Sequence, residues 1–95
     1  MVDGIPREVE ELRQEIARLD GRLVAVLDER ARLARQIREL RRSQAPNIPV
    51  GDHAVIGELV RRSSGDMPKD ALLDVLRAVF AAGLSLELPV KVAFV

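Results

Sequence analysis

Between Val9 and Leu40 the aliphatic residues recur in two interleaved series seven apart, and that spacing commits the first part of the chain to one long helix. Val9, Ile16, Leu23, Arg30 and Ile37 form one series; Leu12, Leu19, Val26, Leu33 and Leu40 form the other, offset by three. Nine of these ten positions are aliphatic, the pattern of a helix packed along its length against another helix. The exception is Arg30. A guanidinium on an apolar seam needs a counter-charge or an anion, because an unpaired charge buried between helices is very costly. Arg30 is therefore either a device that fixes helix alignment or part of an anion site. Arg13 and Arg41 each lie one residue beyond a seam position, on its flank. Arg18, Arg22, Arg32, Arg35 and Arg38 read as solvated residues of the outer face.

The helix should run from about residue 7 to residue 42. Pro6 suits its first turn, Glu8, Glu10 and Glu11 favour the positive end of the dipole, and Arg41 and Arg42 favour the negative end. Gly21 is its one weak interior point. Such a helix is about 54 Å long, whereas a compact chain of this size has a radius of gyration of about 12–13 Å. One globule cannot cover a rod of that length, but a second copy of the chain can. The expected fold is therefore all-α, with three helices per chain, one very long, in an intertwined homodimer.

Residues 43–51 hold Pro46, Pro49 and Gly51 and read as a loop. A short helix should span about residues 52–62, with Asp52 as cap and Val55, Ile56, Leu59 and Val60 inward. Residues 63–66, Ser-Ser-Gly-Asp, form a turn. Pro68 opens a third helix over residues 68–87, with Leu72, Leu76, Val79, Phe80 and Leu84 on its inner line. Gly83 and Glu87 continue that line: the glycine leaves room, and the carboxylate needs a partner. An apolar tail, residues 88–95, completes a single helical domain of 95 residues; it either docks on the dimer or awaits a partner.

Composition narrows the chemistry. Fifteen basic and fifteen acidic residues give no net charge, which argues against a nucleic-acid partner. The two aromatics, Phe80 and Phe94, offer no stacking platform for bases. Without cysteine, and with His53 as the sole histidine, thiolate chemistry, sulfur- or histidine-based metal sites and a His-dependent triad are not expected. No apolar run suits a bilayer span and no signal-peptide core is visible, so the expected address is cytoplasmic, with no membrane partner.

Three sequence blocks then carry a resemblance. Residues 11–16, Glu-Leu-Arg-Gln-Glu-Ile, followed by Leu19-Asp20, residues 29–34, Glu-Arg-Ala-Arg-Leu-Ala, followed by Ile37, and residues 84–87, Leu-Ser-Leu-Glu, resemble the signatures of the all-helical (type II) chorismate mutases. The resemblance spans roughly Val9 to Glu87. It implies conversion of chorismate to prephenate by a unimolecular pericyclic rearrangement, with no cofactor, metal or nucleophile. The work is to hold a flexible dicarboxylate in its reactive conformer and to stabilise charge developing on the ether oxygen, and planar guanidiniums suit that task.

By the same resemblance, Arg13 reaches across the dimer to one substrate carboxylate and Arg30 binds the other from its own subunit. Arg41 stands where the family usually has lysine, touching a carboxylate and the ether oxygen. Glu87 stands where a glutamine or glutamate hydrogen-bonds that oxygen. A glutamate donates there only when protonated, which implies activity favouring acid pH. The family's loop carries Asp-Pro-x-Arg-Glu; residues 48–52 here read Ile-Pro-Val-Gly-Asp. Asp52 is thus a shortened stand-in for the glutamate that binds the substrate hydroxyl, and Gly83 replaces a frequent serine at the substrate site. These departures keep three alternatives open: an isochorismate-pyruvate lyase, a 4-amino-4-deoxychorismate mutase, or a weakly active or non-catalytic module that needs a partner such as the first enzyme of the shikimate pathway.

Overall fold

A computed structural model describes residues 4, 6–43 and 54–88 of the chain. Among the described residues every regular element is a helix: α1 (Arg7–Ser43), α2 (Ala54–Arg61) and α3 (Lys69–Glu87). The Pro6 carbonyl accepts hydrogen bonds from the backbone N–H groups of Val9 and Glu10, at 3.1 and 3.2 Å. Glu8 and Glu10 occupy the first turn of α1, and Arg41 and Arg42 the last, each sign of charge matching its end of the dipole. At that last turn the Ser43 hydroxyl donates to the Glu39 carbonyl at 2.9 Å. The expected cap at Asp52, the loop around it and the apolar tail from residue 89 onward lie outside the described residues.

Between α2 and α3 the chain reverses through Gly65, whose φ of +97° is a conformation that residues bearing a Cβ rarely adopt. The Ser63 hydroxyl accepts from the Gly65 N–H at 3.1 Å. Pro68, expected to open the third helix, stands just before it at φ −56° and ψ 138°. Its carbonyl accepts the Leu72 N–H at 2.9 Å. Leu88 is extended, so α3 stops before Pro89. No helix among the described residues is long and apolar enough to cross a membrane.

The three helices leave most of α1 uncovered. α3 packs on both α1 and α2, but it meets α1 along the stretch from Leu27 to Arg41. The molecule measures 62 × 27 × 25 Å, with a radius of gyration of 18.5 Å, well above the ~12 Å of a compact chain of this length. Towards the N-terminus of α1 the aliphatic stripe is bare: Leu12, Ile16, Leu19, Leu23 and Val26 are each 53–60% exposed. Among the described residues the buried apolar side chains are Ala34 and Ile56. On α2, Leu59 and Val60 are half-buried, while Val55 turns outward.

Where α3 covers α1, the buried line has moved off the strict seven-residue seam. Ala34 and Arg41 are buried, while the seam residues Leu33 and Leu40 stay exposed. An α-helix of 3.6 residues per turn drifts about 20° per heptad against a 3.5 repeat. Over the heptads separating Val9 from Ile37 this turns the flank of the seam, rather than its centre, towards α3. Arg38 is carried inward by the same drift. The sequence reading placed it on the solvated face; it is half-buried, with its Nε enclosed and lacking a hydrogen-bond acceptor among the described residues.

Candidate active site

The drift of α1 has a chemical consequence, because the residues it turns towards α3 are basic. Arg30 and Arg41, eleven residues apart, point within about 20° of each other, and Arg38 lies about 60–80° to one side of that line, so the three share one broad face of the helix. On α3, Phe80, Gly83 and Glu87 follow one another at three- and four-residue intervals and so line one face of that helix. The two faces meet.

Arg41 and Glu87 form an ion pair across the interface, N···O 3.5 Å, with side chains only 5% and 19% exposed. The other ion pairs among the described residues join exposed side chains three apart on one helix, where such pairs contribute little. Arg41–Glu87 is different in kind. It links two helices, and a buried charge left without its partner is strongly destabilising.

Arg30 is half-buried nearby. Its Cζ lies over the Phe80 ring, 4.9 Å from the centroid. Gly83 is buried against it, and a Cβ built on that glycine would overlap Arg30 Nη1 and come within 3.4 Å of Cζ. An apolar groove of about 280 Å³ runs between α1 and α3, lined by Leu27, Ala31, Ala82 and Leu86 together with Arg30 and Gly83. The region thus presents guanidiniums and one carboxylate beside a small apolar wall, a combination that can grip an anionic organic molecule. Among the described residues no three acidic or histidine side chains converge as a metal ion would require.

Of the residues singled out in the sequence, Arg30, Arg41, Gly83 and Glu87 are brought together. Arg13 is not: it is exposed, and seventeen residues of helix separate it from Arg30, about 25 Å along the axis. Asp52 lies outside the described residues. Two neighbours of the cluster escaped the sequence reading. Phe80 was legible as an inward residue of α3 but not as the partner of Arg30. Arg38 could have been found by following the stripe at 3.6 rather than 3.5 residues per turn.

Comparison with known proteins adds an independent line. The family described as chorismate mutase type II matches residues 12–88. The bifunctional chorismate mutase/prephenate dehydratase of Aquifex aeolicus (strain VF5) is 34% identical over 93 residues, covering 92% of this chain and 26% of that protein. The chain spans about a quarter of that relative's length. No solved structure matches it.

Proposed function

The chain belongs to the type II chorismate mutase family, and on that premise we propose that it rearranges chorismate to prephenate in a site completed by a second copy of the chain. The reaction breaks the ether C–O bond and forms a C–C bond within one molecule, so no group enters or leaves. The protein's part is to select the compact conformer and to meet negative charge on the ether oxygen as that bond lengthens. Arg30 takes one substrate carboxylate and Arg13 of the second copy takes the other. Arg41, drawn from its pair with Glu87, meets a carboxylate and the ether oxygen, and Glu87, protonated once that pair is broken, donates a hydrogen bond to the same oxygen. Asp52 faces the ring hydroxyl, and Gly83 leaves the space beside Arg30.

The observation that carries this reading is the buried pair between Arg41 and Glu87, with Arg41 on the same α1 face as Arg30. In a chain of this composition an inter-helix pair flanked by further guanidiniums makes a structural role alone a poor account, because ion pairs buried for stability do about as well when replaced by apolar residues. The second copy is supported by the bare stripe of α1 and by the distance from Arg13 to the cluster. An exposed apolar strip of this length is what a partner helix covers.

The decisive assay follows chorismate absorbance with purified protein at about pH 5 and about pH 7.5 and identifies the product by chromatography. Prephenate, formed faster at the lower pH, is the expected outcome. Pyruvate from isochorismate, or turnover confined to the 4-amino analogue, would transfer the site to one of the alternative reactions. No consumption at either pH overturns the catalytic reading.

A second reading, that full turnover needs another enzyme alongside, is favoured by the relative, in which a stretch like this chain forms about a quarter of a bifunctional protein. On that reading, deleting residues 90–95 abolishes stimulation by the partner enzyme and leaves the dimer intact. Stimulation that survives the deletion removes the tail from the account.

A further inference from the structure

Arg30 and Arg41 are restrained by unlike means. Arg41 has a carboxylate. Among the described residues none stands within ion-pair reach of Arg30; its guanidinium lies over the face of Phe80, in space that exists because Gly83 has no side chain. We propose that Phe80 and Gly83 are positioning residues for Arg30, the ring attracting the cation and the glycine admitting it, so that the guanidinium is aimed before any anion arrives. This inference rests on the function proposed above and concerns how its site is prepared.

The physical case turns on what a ring can and cannot do. An aromatic face attracts a cation through its quadrupole but leaves the edge N–H groups of the guanidinium unused, and those are the groups that grip a carboxylate bidentately. A carboxylate in place of Phe80 would hold Arg30 as firmly and would compete with the substrate. An aliphatic residue would fill the volume without orienting the charge. Gly83 is the steric half of the arrangement. Any Cβ there overlaps Nη1, and since the atom displaced is the tip of a long side chain, the helix tolerates the change and Arg30 moves instead. A glycine in mid-helix is otherwise unfavourable relative to alanine, which gives its presence a reason.

Three variants test this in the whole 95-residue chain: Phe80→Leu, Phe80→Tyr and Gly83→Ala. The first readout needs no ligand. The Arg30 Nε–Hε resonance, identified by its loss in Arg30→Lys, should lie upfield of the ordinary arginine range through the Phe80 ring current. It should return to that range in Phe80→Leu and shift in Gly83→Ala, and Phe80→Tyr should keep it upfield. The second readout is the affinity for prephenate. Phe80→Leu should weaken it about tenfold, within the range of a partly desolvated cation–π contact, and Phe80→Tyr should recover it. Gly83→Ala should weaken it too while the melting temperature holds or rises, a pairing of signs that a purely structural glycine would not give. An ordinary Arg30 resonance in the unsubstituted protein, or prephenate binding undiminished in both Phe80→Leu and Gly83→Ala, overturns the proposal. If the unsubstituted protein neither binds prephenate nor consumes chorismate, the proposed function fails, and the resonance alone decides whether the ring and the glycine position Arg30.

Discussion

Arg30 and Arg41 lie about three turns apart on one helix face, and the difference in what restrains them separates the consequences of removing each. Arg41 neutralises a partly buried carboxylate, so its loss strands Glu87 and falls on stability as well as on chemistry. Arg30 leaves behind only a ring and a glycine. Arg30→Ala should therefore stay folded and dimeric by sedimentation while chorismate turnover falls by about 100-fold or more, the scale of losing a charge-stabilising group. Turnover unchanged in that variant would remove Arg30 from the site. Glu87 gives the pH prediction. In the donor role Glu87 must leave its ion pair with Arg41 and take up a proton, a step that lower pH favours, whereas an amide donates at every pH. Glu87→Gln should flatten the pH profile of kcat and raise the rate near neutral pH relative to the unsubstituted protein. A profile that keeps its slope assigns the pH dependence to another group.

At the scale of the elements, α1 is at once the most legible part of the chain and the one whose details moved. Its bounds follow from Pro6, the charge gradient and the stripe. Which residues it buries depends on rotation about its axis, and a drift of about 20° per heptad decides whether Leu40 or Arg41 faces α3. Gly21 tests the local energetics of the helix. It sits on the side away from the stripe, and a Cβ added there meets nothing within 4 Å. Gly21→Ala should stabilise the protein by about 1 kcal/mol, seen as a higher urea midpoint at unchanged m-value. A lower midpoint would mean that the outer face of α1 is covered by something that excludes a methyl group.

For the molecule as a whole, the deficit is one of burial. A rod about 55 Å long is covered by a 19-residue helix over part of its length, and from Leu12 to Val26 the large apolar side chains stand more than half exposed. A single chain with so little enclosed is a poor candidate for independent stability. The protein should sediment at twice the 10.5 kDa of the chain, and its melting temperature should rise with protein concentration, as mass action requires of a folded dimer. Leu19→Glu, in the middle of the bare stripe, should dissociate the dimer and lose helicity and activity together. A helical, monomeric Leu19→Glu variant would show that the chain folds alone.

What the sequence by itself determined was whatever depends on spacing along one chain. Seven-residue recurrence specified the long helix, prolines and glycines punctuated the three helices, and Arg30 betrayed itself as a charge on an apolar line. The motif blocks at the two ends carried the family resemblance. Tertiary structure decided what depends on two elements meeting: that Arg41 pairs with Glu87, that Arg30 rests on Phe80 in the gap left by Gly83, and that Arg38 turns inward. Those pairings are set by the rotation of α1 and its crossing with α3. A few degrees of rotation per turn leave a periodic pattern nearly intact, yet summed over a long helix they choose which side chains touch.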